Sequence, residues 1–180
     1  MEKKNVLQTS EKKIACRVKK SIMRKLQAEA TLEKISLSQL LHRIISDYAE
    51  WDINAVRAGW LVFMRSPLRD LLDHVDDKTL SKIATRAADN TRYTRIVLAA
   101  SDSVSGFITV LKKRSRKSGF VINKSKEKGF LVYTVHHEMG RKWSMFHKIM
   151  YERILNNVGH GNARIEYTDD TLKIKIKNTR

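Results

Sequence analysis

Three histidines and a glutamate in the last third of the chain have the side chains that a metal site needs. They are His136, His137, Glu138 and His147. Successive residues of a regular strand point to opposite faces, so His136 and His137 are not expected to bind one ion together. The spacing also differs from the HExxH pattern, in which two histidines one helical turn apart hold zinc. The pattern therefore favours one inward histidine with a satisfied hydrogen bond, and we predict neither a metal nor a cofactor.

Nothing else in the sequence has the spacing of a catalytic site. Cys16 is the one cysteine of the chain, which excludes a disulfide framework and a zinc site built on cysteines. The stretch GHGNA, residues 159–163, lacks the preceding strand and the full glycine pattern of a dinucleotide site, and it is typical of a helix stop. No serine, cysteine or carboxylate pair has a partner at a recognisable distance along the chain. We therefore do not expect an enzyme.

Charge is the strongest feature of the chain as a whole. There are 36 Lys and Arg residues against 19 Asp and Glu, a net charge of +17. Residues 111–180 alone carry 17 basic and 6 acidic side chains. Such an excess favours a polyanionic partner, because neutralising phosphates releases condensed counterions. A lysine-rich surface that serves solubility would usually carry matching acids. The balance predicts nucleic-acid binding.

Part of this charge lies in the stretch LKKRSRKSGFVINKSKEKG, residues 111–129, which has one acid, Glu127. Its basic residues are Lys112, Lys113, Arg114, Arg116, Lys117, Lys124, Lys126 and Lys128. Two interpretations remain open. The stretch is either a second phosphate-binding surface, or a solvated helix end followed by a hairpin loop, with cations favourably close to a helix C-terminus.

The first element that must position such charges is a strand pattern at residues 12–18, KKIACRV. In it, Lys13, Ala15 and Arg17 alternate with apolar neighbours, the period of a half-buried strand. A lone strand in water leaves its backbone unpaired on both edges. The next strand pattern is dozens of residues away, so something else must complete this one. One interpretation is an edge strand that, with the helices after it, packs onto the rest of the same chain.

Two helices are predicted to follow the strand. The first runs from about Lys20 to Glu33, and the second begins after Ser36, where Gln39 completes a capping box. The second helix carries a wide apolar stripe made of Leu37, Leu40, Leu41, Ile44, Ile45 and Tyr48. A unit of this size is too small to be stable alone.

This order of strand, helix and capped helix resembles the ribbon-helix-helix family of DNA-binding proteins, over residues 12–50. In that family two chains pair their strands into an antiparallel ribbon that lies in the major groove. The resemblance implies a homodimer bound to double-stranded DNA, in which the outward side chains Lys13, Ala15 and Arg17 read base edges.

The resemblance also places the start of the second helix, at Leu37, Ser38 and Gln39, against a DNA phosphate. Free N–H groups and the helix dipole favour an anion there. The chain departs from the family at one position, since many members have glycine where this chain has Lys34. A non-glycine residue in the left-handed conformation costs about 1 kcal/mol, so the turn is open to a different geometry.

The remainder of the chain predicts an α+β domain over residues 51–180. Residues 51–118 are expected to be helical, with helices starting at Ser66-Pro67, near Asp77 and after Ser101 or Ser103. The run AVRAGWLVFMR, residues 55–65, either extends the preceding helix or forms a buried strand. Residues 119–177 follow the order strand, strand, helix, strand, strand, which predicts an antiparallel sheet.

The combined hypothesis is a homodimeric, sequence-specific DNA-binding protein that regulates transcription. It has a flexible arm at residues 1–11, a DNA-binding and dimerisation domain at 12–50, and a C-terminal domain open to a small-molecule or protein effector. Two alternatives remain: an architectural, chromatin-like protein with little sequence preference, and an RNA-binding protein that uses the basic C-terminal third. The apolar runs are too short to cross a membrane and the N-terminus lacks a signal peptide's apolar segment, so a cytoplasmic, nucleoid-associated location is expected.

Overall fold

A computed structural model of the chain describes residues 12, 14–99, 101–159 and 163–177. It divides into two compact units, residues 1–46 and residues 47–180. The predicted α+β class is confirmed, since helices accompany a four-stranded antiparallel sheet. The predicted arm at residues 1–11 and the side chain of Lys13 lie outside the described residues. Within the described ranges, no helix is long and apolar enough to cross a membrane.

The first unit contains two helices, α1 (Lys20–Leu32) and α2 (Leu37–Asp47, whose last residue belongs to the second unit). Both confirm the predicted positions. The strand predicted at residues 12–18 is not formed in the single chain, because Lys12 and residues 14–19 lie in neither a helix nor a strand. A strand is stabilised by hydrogen bonds to a neighbouring strand, and the four strands of the described chain pair with one another in the second unit.

The turn between α1 and α2 is left-handed at Lys34, with φ 56°. The Lys34 N–H donates to the Thr31 carbonyl at 3.1 Å, and the Ile35 N–H donates to the Ala30 carbonyl at 3.0 Å. These are the two bonds of a Schellman motif, which usually places glycine at the left-handed position. Lys34 thus adopts the conformation that the missing glycine would have favoured.

The second unit begins with a π-helical turn (Tyr48–Asp52) and α3 (Ile53–Arg57). The alternative of a buried strand within residues 55–65 is wrong. Leu61 and Val62 are 86% and 103% exposed, in a segment with no regular structure. The next helix, α4 (Arg65–Asp73), starts one residue before Ser66, so Ser66 is not its cap.

Two longer helices follow, α5 (Asp77–Ala99) and α6 (Val104–Lys117). A side-chain oxygen caps each of them. Asp76 Oδ1 accepts from the Thr79 N–H at 2.9 Å, and Ser103 Oγ accepts from the Gly106 N–H at 3.2 Å. Ser103, rather than Ser101, is therefore the cap of α6.

The sheet comprises β1 (Val121–Glu127), β2 (Phe130–His136), β3 (Arg164–Tyr167) and β4 (Thr171–Lys177), in the order β1-β2-β4-β3. Helix α7 (Arg141–Asn157) lies between β2 and β3 along the chain, so the predicted ββαββ order is confirmed. The first hairpin turns at Lys128-Gly129, with φ values of 43° and 83°. Positive φ at both residues matches the right-handed twist of the flanking strands.

The main core of the second unit is a cluster between the sheet and the helices, and a smaller separate cluster contains Trp51, Ala55 and Leu98. From β4 it includes Leu172, Ile174 and Ile176, as the alternation of that strand predicts. From α7 it includes Trp143 and Ile154, and α5 and α6 contribute further buried residues. The second unit therefore encloses a core of its own.

Candidate nucleic-acid interface

The segment predicted to form the ribbon is exposed on both of its faces. Ala15 and Arg17, two of the three predicted base-reading residues, are exposed as expected. Ile14 and Val18, on the face expected to pack against helices, are 73% and 41% exposed. The described chain thus contains nothing that covers the apolar face of this segment.

The helices of the first unit also leave apolar side chains in solvent. Ala30 and Leu40 are the buried residues of its described part. The large apolar side chains that remain exposed on α1 and α2 are Ile22, Leu32, Ile44 and Ile45, with exposures from 43% to 76%. Several exposed large apolar side chains on two helices of one small unit are a feature of interaction surfaces.

The predicted phosphate site at the start of α2 has the expected capping box. Ser36 Oγ accepts from the Gln39 N–H at 3.1 Å, and Gln39 Oε1 accepts from the Ser36 N–H at 2.8 Å. The N–H groups of Leu37 and Ser38 have no acceptor among the described residues. The capping box therefore engages the N–H of Gln39 and leaves the N–H groups of Leu37 and Ser38 free to donate to an anion.

A bidentate ion pair joins the end of α1 to the middle of α2. Arg43 Nη1 and Nη2 donate to the two Glu33 carboxylate oxygens at 2.5 and 2.6 Å. The hydrogen bond from Arg43 lowers the pKa of Glu33. Together with the Lys34 turn, this contact orients the start of α2.

The basic stretch at residues 111–129 does not form one free surface. Acidic residues at positions 47–52 neutralise three of its members: Lys113 pairs with Glu50 at 3.0 Å, Arg116 pairs with Asp47, and Lys117 pairs with Asp52 at 2.7 Å. These contacts tie the C-terminal half of α6 to the π-helical turn. They leave fewer cations for a phosphate backbone than the sequence suggests.

Four lysines of the stretch have no acidic partner in the described ranges: Lys112, Lys124, Lys126 and Lys128. Lys112 and Lys124 line one groove between α6 and β1. Lys112 Nζ lies 5.7 Å from the centroid of the Tyr133 ring, and Lys124 is opposite Tyr133 in the β1–β2 register. The groove brings these two lysines together, and Glu50 also lines it.

Arg114 belongs to the same stretch but is half-buried on the inner side of α6. Its Nη1 donates to the Tyr151 hydroxyl at 2.9 Å and its Nη2 donates to His147 Nε2 at 2.5 Å. Its guanidinium carbon also lies 5.3 and 5.5 Å from the ring centroids of Trp60 and Trp143. Arg114 is therefore not part of an exposed patch.

The histidines are placed as the strand geometry predicts, with His136 exposed and His137 buried at 1% exposure. His137 Nδ1 accepts from the Met139 N–H at 3.0 Å, so Nε2 carries the proton and donates to Ser144 Oγ at 2.9 Å. Burial lowers the pKa of His137 to about 4. Within the described ranges, no three potential ligands gather as a metal site would require.

His147, which the sequence analysis grouped with the candidate metal ligands, is a second inward histidine. It is 3% exposed and stacks on Trp143 with ring centroids 3.6 Å apart. The signal was present, because Trp143, His147 and Tyr151 recur every fourth residue and so share one face of α7. The contact of this face with Arg114 depends on the tertiary fold and could not be predicted from the sequence.

No protein-family model, curated protein or solved structure matches the chain.

Proposed function

We propose that the protein is a homodimer that binds double-stranded DNA and regulates transcription, with residues 12–18 of two chains paired as an antiparallel ribbon in the major groove. One observation supports this most: the first unit leaves apolar side chains exposed on the N-terminal segment and on both helices. A second copy that supplied a strand and two helices would cover all three at once.

The energetic argument is that each exposed isoleucine or leucine that becomes fully buried contributes about 1.5–3 kcal/mol. Ile14, Leu32 and Ile45 are each more than half exposed in the single chain. Burying several such side chains in each copy is enough to oppose the entropy lost on association. Pairing of the two segments would at the same time satisfy their backbone groups.

The turn at Lys34 and the capping box at Ser36 support the same proposal. They join α1 and α2 by the tight turn that the family resemblance implies, although the family's glycine is absent. The free N–H groups of Leu37 and Ser38 then suit a phosphate oxygen.

In the proposed complex, Lys13, Ala15 and Arg17 face the bases. Arginine donates two hydrogen bonds to guanine O6 and N7, lysine reaches the same acceptors, and alanine contacts a thymine methyl group. The unpaired lysines of the second unit, among them Lys112 and Lys124, add attraction for the phosphate backbone without sequence preference.

The test is selection of fragments bound by the full chain from random duplex DNA. We expect an enriched inverted repeat, because two-fold symmetry in the protein requires it in the site. With roughly 6–10 phosphate contacts, affinity should fall about 10³–10⁵-fold between 50 and 200 mM salt. Equal affinity for selected and scrambled duplexes would replace the proposal with an architectural role. Preference for single-stranded or structured RNA would replace it with RNA binding.

Arg17→Ala examines the base-reading role. Loss of a bidentate base contact should reduce the preference for selected over scrambled DNA by about 1–3 kcal/mol. The matched control is Arg86→Ala, which removes the same charge from an exposed position of α5. If Arg17→Ala weakens binding to both duplexes equally, Arg17 contacts phosphate and not a base.

A further inference from the structure

A cavity of about 340 Å³ lies inside the second unit, between α4, α6 and α7. This volume is within the range of about 300–1,000 Å³ that is typical of small-molecule sites. Its walls are mainly apolar and aromatic, and include Leu68, Phe107, Trp143 and Met150. A cavity with such walls suits a ligand with an apolar body.

The cation in its wall is Arg114. No carboxylate in the described ranges lies within ion-pair distance of this guanidinium. Its bonds to Tyr151 and His147 use two of its five N–H donors. The neighbouring Trp60 and Trp143 rings compensate the charge only in part, because a cation–π contact is weaker than a buried ion pair.

The two hydrogen-bond partners of Arg114 are uncharged. His147 Nδ1 donates to the Trp143 carbonyl at 2.9 Å, which leaves Nε2 as the acceptor for Arg114 and the ring neutral. Burial, followed by the charge of Arg114, lowers the pKa of His147 well below its usual value. Burial raises the pKa of Tyr151, so its hydroxyl also stays neutral. The wall thus carries one uncompensated positive charge.

We propose that this cavity binds a small organic monocarboxylate with an aromatic or branched aliphatic body, whose carboxylate pairs with Arg114. A guanidinium with free N–H groups matches the two oxygens of a carboxylate, and the apolar walls bury the remainder of the ligand. A doubly charged phosphate fits less well, since one cation would leave part of its charge unpaired in an apolar cavity. The inference depends on the second unit alone and is tested independently of DNA binding.

The experiment is calorimetric titration of the full chain with 2-naphthoate, followed in parallel by fluorescence, because Trp60 and Trp143 both line the cavity. The uncharged analogue 2-naphthamide has nearly the same shape, and acetate has the charge without the body. We expect 2-naphthoate to bind at least tenfold more tightly than either. Equal binding of the acid and the amide, or no binding of the acid at millimolar concentration, would overturn the proposal.

Arg114→Gln should reduce the affinity for 2-naphthoate at least tenfold and leave that for 2-naphthamide unchanged. Lys112→Gln is the matched control, since it removes the same charge two residues away on the exposed side of α6. If both variants weaken acid binding equally, the effect is one of net charge and the assignment to Arg114 is wrong. If Arg114→Gln does not fold, the comparison of acid, amide and acetate on the unaltered chain decides alone.

Discussion

The two units of the chain bury their apolar residues to very different extents. In the second, Leu172 and Ile174 have no exposed surface and the sheet is covered by helices. In the first, Leu32 is 76% exposed and Ile45 is 54% exposed, although both lie on well-formed helices. Regular secondary structure is thus present in both units, but an enclosed core is present in only one. The exposed apolar side chains of the first unit motivate the proposed dimer, whereas the second unit encloses a core of its own.

The largest effect should follow from damage to the closed core. Leu172→Ala should lower the free energy of unfolding of the second unit by about 2–5 kcal/mol, because the cavity left behind adds to the lost burial. Leu61→Ala, at an 86% exposed position, is the control and should change it by less than about 0.5 kcal/mol. Urea unfolding at several protein concentrations measures both. A small loss for Leu172→Ala would mean that the second unit does not depend on this core.

The second-largest effect should follow from a charge placed on the exposed apolar face of the first unit. Ile14→Asp should weaken self-association at least about tenfold, since burying a charged carboxylate in the dimer costs more than the roughly 1–3 kcal/mol of an unpaired neutral polar group. Val121→Asp is the matched control, because Val121 is similarly exposed, at 59%, on β1 of the second unit. Analytical ultracentrifugation gives the dissociation constants. The same result for both variants would remove the contrast between the two faces.

Acid should destabilise the second unit selectively through its buried histidines. Burial lowers the pKa of His137 to about 4. The nearby negative charge of Asp170 raises this pKa, and the charges of His136 and Arg114 lower it. Between about pH 6.5 and 4, His137 is therefore protonated in the unfolded chain but not in the folded one. Stability falls with falling pH by up to about 1.4 kcal/mol per pH unit for each proton, and His147 acts in the same direction.

His137→Gln tests this pH dependence, because the amide can keep both hydrogen bonds but does not titrate. We expect a shallower loss of stability between pH 6.5 and 4.5 in urea unfolding. His42→Gln, in α2 of the first unit, is the control for the loss of an imidazole outside the second unit. An unaltered slope in His137→Gln would mean that other groups take up the proton.

The smallest expected effect lies at the turn of the first unit. Lys34→Gly should stabilise that unit by up to about 1 kcal/mol, since glycine adopts positive φ without strain. Lys25→Gly is the control, within α1, where glycine should destabilise by a similar amount. Thermal melting by circular dichroism compares them. If Lys34→Gly also destabilises, the left-handed turn carries no strain.

Residue patterns predicted most of the helices and hairpins, and fewer of the contacts between residues that are far apart in the sequence. Helix α7 and both hairpins were predicted because their apolar periods are clear and turn residues separate them. The strand predicted at residues 12–18 is not formed among the described residues, because alternation along a sequence does not supply the neighbouring strand that a strand needs. Arg114 was grouped with its exposed neighbours because charge along a sequence carries no information on burial. The pairing of Lys113, Arg116 and Lys117 with acids at positions 47–52 was equally invisible before the fold was known.

The central claim, that the first unit is completed by a second copy, is tested most directly by sedimentation of the full chain without DNA over a hundredfold range of concentration. The account predicts a dimer that dissociates on dilution, with the melting temperature of the first unit rising as protein concentration rises. A monomer throughout, in which residues 14–47 melt cooperatively and independently of concentration, would contradict it.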